Sequence, residues 1–276
     1  SGIYEFYKEC KSNGIKPIIG QEFCWCADTQ IIKPDSVGYD YYPIVLIAKN
    51  NNGLHNLIKL STISWTDHLI PDEKSPVPRI DNTLLSQYSD DLICLTGGEF
   101  GFLSLAISKG FNNLAIQWLN KLKNIFESNL WLQIPVPQNP QQTRIAKTIL
   151  KYDIQSVVTT TVLYPTKEWK TTHEEKMCAI LNKKMWMPGL WDHDAERGLD
   201  NRRLIIPTDH HLMSEAEIDN LLVKADLDYE LISNTQVICD QIENNYFSDY
   251  KNRYPKFNDL PENVTSDQML ERVSKY

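Results

Sequence analysis

The chain has 276 residues, 42% hydrophobic and 23% charged, and carries a formal net charge of −8. This composition suits an α/β domain and excludes the extremes: no apolar run approaches the roughly 18 residues of a membrane span, and the N-terminus does not resemble a signal peptide. No block of basic residues is present to grip a nucleic-acid backbone, since the largest clusters are Lys183-Lys184 and Arg202-Arg203. Any contact with DNA would therefore come mainly from a partner.

Ile3, Phe6 and Tyr7 fall on one side of a helix over 3–12. The pattern is helical from the first residues and Ser1 is not a methionine, so the expectation is that something upstream is missing. Gly14 stops this helix, Pro17 fixes φ at a strand entry, and Ile18 and Ile19 carry the strand (15–25) into the core. Glu22 is a lone carboxylate near the end of that strand, where α/β barrels usually keep their chemistry. A short apolar strand follows at 43–48, then a turn at Asn50-Asn51-Asn52-Gly53 and a helix over 54–64.

Asp81 predicts the N-cap of a helix through Tyr88. A strand at 92–96 breaks at Gly97-Gly98. Helices follow at 99–109 and 112–126, the second capped by Asn112 with a stripe of Leu114, Trp118, Leu122 and Ile125. Strands at 130–136 and 156–163 flank a helix at 141–151, and a further helix covers 167–182. Residues 185–203 have no periodicity and read as a loop insertion. Helices at 214–225 and 229–243, a polar connector over 246–264, and a capping box at Thr265-Ser266-Asp267-Gln268 complete the chain. Short apolar strands alternating with helices predict a parallel sheet, open or closed into a barrel.

The six cysteines, Cys10, Cys24, Cys26, Cys94, Cys178 and Cys239, are scattered. They read as reduced thiols in a cytoplasmic protein, or in host cytoplasm for a viral one. Cys24 and Cys26 share a strand face, but zinc would need two more ligands, so they read as core-facing.

The stretch Gly14-Ile15-Lys16-Pro17-Ile18-Ile19-Gly20-Gln21-Glu22-Phe23 resembles a segment of the PHP domain in bacterial DNA polymerase III alpha subunits. Ile44 to Asn50, Leu95-Thr96-Gly97-Gly98, Val157-Val158 to Tyr164, His173-Glu174, Ser214 to Ile218, Ser233-Asn234-Thr235 and Tyr254-Pro255-Lys256-Phe257 resemble later segments of the same family, in order. The resemblance implies a distorted (β/α)7-type barrel lacking its first strands over 1–225, interrupted by the insertion at 185–203. It implies a helical connector and the start of the polymerase region over 226–276.

The resemblance also identifies ligand positions. In the family a ring of His, Asp, Glu and Cys holds metals that activate water for phosphoester hydrolysis. Glu22 retains its position in that ring. A histidine falls at Pro43, a cysteine at Gly98, and an Asp and a His at Thr161 and Leu163. Proline and leucine have no ligand atom, glycine has no side chain, and a threonine hydroxyl is a poor substitute for carboxylate. A lone Glu22 does not hold a catalytic metal, which needs about three protein ligands. The resemblance thus implies a degenerate metal site, with no catalytic residue and no cofactor bound by this chain. Mg would serve the complete polymerase, whose palm carboxylates are not in this sequence.

A second polar cluster combines Asp192, His193 and Asp194 with Asp209, His210 and His211. Its residue types suit zinc or manganese. Its spacing fits no compact ligand pattern, so it reads as a solvated polar insertion. His173 reads as a packing residue. Trp118, Trp131, Trp169, Trp186 and Trp191 could stack on bases, but with no basic groove around them they read as core and insertion packing.

The resulting expectation is a structural part of a replicative DNA-directed DNA polymerase. Its partners would be the fragment carrying the palm and a proofreading exonuclease or other replisome subunits, with DNA reached through the complete polymerase and no membrane. A split gene, an intein or intron junction, or trimming would account for the missing start. The alternative is a stand-alone metal-dependent phosphoesterase or 3'-5' exonuclease-like hydrolase, against which Pro43, Gly98, Thr161 and Leu163 argue. A decayed remnant is a third reading, which the intact periodicity and caps oppose.

Overall fold

The computed structural model describes residues 2–28, 37, 41–70, 77–180, 208–247, 264–265 and 267–268. The insertion at 185–203, with Asp192, His193, Asp194, Trp186 and Trp191, lies outside the described residues, as does Tyr254 to Phe257. The chain divides into two compact units, Ser1–Tyr246 and Phe247–Tyr276.

In the first unit, helix α1 (Ile3–Ser12) closes where Gly14 adopts φ 68°, in the left-handed region. None of its residues is buried. Strand β1 (Gly20–Trp25) begins later than its apolar run suggests. Pro17 offers no N–H to a ladder, and only the N–H of Ala48, donating to Ile19 O at 2.9 Å, anticipates the pairing. Strand β2 (Tyr42–Ala48) leads into α2 (Asn51–Thr66). The Asn-Asn-Asn-Gly stretch is therefore not a separate turn. Asn50 is the cap, its Oδ1 accepting from Gly53 N at 3.1 Å, and the rest is the first helical turn.

Strands β3 (Leu69–Ile70) and β4 (Val77–Ile80) are too short to show a period and were not legible in the sequence. Helix α3 (Asn82–Tyr88) starts at Asp81, whose carboxylate accepts from Leu84 N at 3.0 Å, as its sequence predicts. Strand β5 (Leu92–Leu95) ends in the Gly97-Gly98 turn and a 3-10 turn (Gly98–Phe100). The helix predicted over 99–109 is this turn plus α4 (Phe102–Ser108), separated by Gly101.

Helix α5 (Asn112–Phe126) has Phe111 at its N-cap, so Asn112 does not cap it. It buries Ala115, Trp118, Leu119, Leu122 and Phe126, a stripe turned slightly from the one expected. Strand β6 (Leu130–Pro135), helix α6 (Pro140–Ile149) and strand β7 (Ser156–Thr159) follow. Next come a 3-10 turn (Lys167–Trp169), α7 (Lys170–Ile180), α8 (Glu215–Ala225) and α9 (Glu230–Asp240). Helix α9 is fastened to β7 by Asn234 Nδ2, which donates to Ser156 O at 2.8 Å.

The strands form one sheet in the order β3-β4-β1-β2-β5-β6-β7. It is mixed rather than wholly parallel. β1 and β5 both run antiparallel to β2, whereas β4 with β1, β5 with β6 and β6 with β7 are parallel. The near-continuous apolar run of β2 reflects a central strand with one face buried and the other half-buried, not parallel neighbours. Among the described residues the sheet is open, with β3 and β7 at its ends.

Side chains alternate across β1, so Phe23 and Trp25 face the core while Glu22 and Cys24 face the other way. On the core face Trp25, Tyr42, Phe102 and Trp118 make a ring cluster: Trp25 lies 5.2 Å from Phe102 and 5.6 Å from Trp118, centroid to centroid. All four are buried, which locks the adjoining ends of β1 and β2 onto α4 and α5. Trp131 is also buried, as expected of core packing, but Trp169 is 54% exposed. Its 3-10 turn places it outside the core.

In the second unit, Gln268 N donates to Thr265 Oγ1 at 3.3 Å and Thr265 N to Gln268 Oε1 at 3.0 Å. This is the reciprocal pair predicted for the capping box.

Candidate functional site

On the face that carries Glu22 and Cys24, a cavity of about 320 Å³ opens at the ends of β5, β6 and β7. It gathers most of the sequence-predicted positions. Glu22 from β1, Pro43 from β2, Gly98 from the turn after β5 and Thr161 beyond β7 all line it. Leu163 does not. Its side chain is 45% exposed, and its N–H donates to His210 O at 2.8 Å.

Of the second cluster, Asp209 and His210 line the cavity, while His211 turns toward Glu217, with Nε2 to Oε1 at 3.2 Å. Both histidines are buried, His210 at 6% and His211 at 5% exposure. They are therefore not part of a solvated insertion. Their segment pairs with the chain beyond β7 through a Tyr164–His211 bridge. The His173 ring lies beside Tyr164, 5.5 Å between centroids and tilted by 46°.

The floor of the cavity is set by the Gly97-Gly98 turn. Both glycines lie in the left-handed region, at φ 84° and 57°. A Cβ on Gly97 would sit 1.9 Å from Pro43 O, so the β2 backbone passes where a side chain would be. Gln133, the one polar residue of β6, reaches over the turn. Its Oε1 accepts from Gly97 N at 3.0 Å and its Nε2 donates to Thr159 Oγ1 at 2.8 Å.

The opposite wall is also built on amides. Gln138 exchanges two bonds with Asp209: Nε2 donates to Asp209 O at 2.7 Å, and Oε1 accepts from Asp209 N at 2.6 Å. Gln142 donates to Glu99 Oε1 at 2.9 Å and accepts from Gln138 N at 2.8 Å. Sequence reasoning missed these three glutamines. The signals available were a lone polar residue in an apolar strand and the Gln-rich run at the start of α6.

Two of the donor groups in the cavity, His210 and Asp209, are committed to protein partners. His210 Nδ1 lies 3.1 Å from Thr161 O, a pure acceptor, so Nδ1 carries the proton. The hydroxyl of Thr208, 2.8 Å from Nε2, then donates to the remaining lone pair. Asp209 Oδ1 accepts from Lys170 Nζ at 3.0 Å, which holds its carboxyl below the usual range. Burial, with a smaller contribution from the Glu22 carboxylate, pushes the Cys24 thiol up, away from the thiolate a metal would require. Among the described residues, no group of three or more His, Cys, Asp or Glu side chains is disposed to hold a metal ion. No helix among the described residues is long and apolar enough to cross a membrane.

A protein-family model described as "PHP domain" matches residues 1–135. Residues 1–135 are a PHP domain. The match takes in Glu22, Pro43, Gly98 and Gln133, while Thr161 and His210 lie beyond it. Curated relatives named DNA polymerase III subunit alpha extend the similarity. That of Aquifex aeolicus is 31% identical over 192 residues, 66% of this chain and 16% of its own length. That of Thermus aquaticus is 26% identical over 282 aligned residues, 99% of this chain and 22% of its own length. That of Chlamydia pneumoniae is 31% identical over 144 residues, 51% of this chain and 11% of its own. The chain thus spans less than a quarter of each of these relatives.

Proposed function

We propose that this chain is the PHP-like part of a replicative DNA polymerase III alpha subunit and that its role there is structural. The observation that carries this reading is the similarity to the Thermus aquaticus alpha subunit across 99% of the chain. The cavity sits where PHP chemistry would be sought, yet Pro43, Gly98 and Thr161 offer it no strong ligand and His210 has no free lone pair. The residues present do not fit a catalytic metal, and no hydrolytic step is assigned to them. The net charge of −8 supports DNA contact through the rest of a polymerase rather than through this chain alone.

In this reading the partner is the region bearing the palm, with a proofreading exonuclease or another replisome subunit as a further contact. Mg serves that palm, and the compartment is the cytoplasm. Co-expression of the full chain with the palm-bearing polymerase region tests the proposal. Co-purification and primer extension by the complex are expected. Failure to associate, or stoichiometric metal with hydrolysis of a nitrophenyl phosphate ester abolished by Glu22→Ala, overturns it in favour of a metal-dependent hydrolase.

A further inference from the structure

We propose that a lattice of three glutamine carboxamides, rather than a metal, holds this cavity together. The inference rests on the reading above, that the cavity does not run metal-dependent hydrolysis.

Gln133 makes one part of the lattice, and Gln138 with Gln142 makes the other. The Gln133 backbone N–H donates to Thr96 Oγ1 at 2.9 Å, and its side chain bridges Gly97 N and Thr159 Oγ1. One residue of β6 therefore ties the turn after β5 to the end of β7. These strands are joined by backbone ladders at Cys94–Leu130 and Leu95–Trp131 on one side and from Leu132–Ser156 to Pro135–Thr159 on the other. The carboxamide extends the cross-link beyond the β5 ladder, into the cavity floor. Gln138 and Gln142 repeat the device across the gap, joining the start of α6 to Asp209 and to Glu99.

The same geometry accounts for the bare position at Gly98. A Cβ there would lie 3.2 Å from Gln133 Nε2 and 3.4 Å from its Cδ. The carboxamide thus stands where a side chain at 98 would project, so Gly98 and Gln133 form a coupled pair. A single replacement at 98 does not recreate a ligand site while Gln133 holds its place. Carboxamides carry no titratable proton and need no ion, so the bonds that Gln133 and Gln138 make persist in chelator.

The experiment follows thermal unfolding of the full chain with EDTA and with added zinc or manganese, together with hydrogen exchange at the Gly97 amide. Wild-type Tm is expected to be the same in EDTA. Gln133→Leu, which keeps bulk but no hydrogen bond, is expected to lower Tm by roughly 3–10 °C and to lose Gly97 protection at least tenfold. Should Gln133→Leu fail to fold, Gln133→Glu keeps an acceptor for Gly97 and is expected to retain that protection at pH 7. Gly98→Ala is expected to shift Tm less in a Gln133→Ala background than in wild type, the non-additivity of a contacting pair. Unchanged Tm and protection in Gln133→Leu, unprotected Gly97 in Gln133→Glu, or strict additivity overturns the lattice and leaves the structural reading standing. A wild-type Tm lowered by EDTA and restored by metal instead overturns the metal-free reading itself.

Discussion

Gly97→Ala is the sharpest test of how the cavity floor is made, and two other glycines supply its controls. Gly14 has φ 68° and a Cβ added there would meet nothing within 4 Å, so Gly14→Ala reports left-handed strain alone. That strain is about 1–2 kcal/mol. Gly98→Ala adds a 3.2 Å contact, but with the far end of a glutamine side chain that can yield. Gly97→Ala adds a Cβ at 1.9 Å from Pro43 O and 2.9 Å from Gly101 Cα, both backbone atoms in packed segments.

Overpacking of this kind costs about 1–3 kcal/mol, which brings Gly97→Ala to roughly 2–5 kcal/mol once strain is added. That is a large share of a typical total stability of about 5–15 kcal/mol. At about 2–4 °C per kcal/mol for a domain of this size, Tm falls by roughly 4–20 °C. Urea unfolding followed by tryptophan fluorescence measures all three variants. The expected order of loss is Gly97→Ala, then Gly98→Ala, then Gly14→Ala. A Gly97→Ala variant no less stable than Gly14→Ala would refute the close approach of β2 to the turn.

Trp118→Ala empties the centre of the aromatic cluster and is expected to cost about 3–5 kcal/mol, read as a lower urea midpoint. A loss below about 1 kcal/mol would place the ring outside the core. Glu217 carries a pH prediction. The Ser214 N–H and hydroxyl, then His211 and Lys167, lower its pKa from 4.5 to about 2. Its folded pKa is depressed, so its contribution is complete above pH 4.5 and is lost as pH falls from there toward 2. Glu217→Gln is expected to flatten the acid limb of stability against pH in that window, and an unchanged limb would remove the charge from the account.

Local signals in the sequence are strong enough to mark most elements. Asp81 and Thr265 cap as their sequences predict, and the apolar periodicity of α5 places Trp118 and Leu122 inside. These features depend on neighbours a few residues away, so a single segment contains the whole cause. Strands β3 and β4 are not legible because two to four residues cannot display a period. Strand direction is not legible either: the run Pro43 to Ala48 marks β2 as an apolar central strand, but not which way its neighbours run.

The candidate site divides along the same line. The family resemblance marks Glu22, Pro43, Gly98, Thr161 and Leu163, and all but Leu163 meet in one cavity. The amides that wire this cavity are hidden from the sequence. Gln133, Gln138 and Asp209 are far from their partners in the chain, and each is an ordinary polar residue until the fold brings that partner within hydrogen-bond reach. His210 likewise changes from a loop histidine to a buried one with both ring nitrogens engaged only when its segment pairs beside Tyr164. Periodicity, caps and glycine positions are local and belong to the sequence by itself. The wiring of the cavity joins residues brought together by long-range strand pairing, and only the tertiary structure decides it.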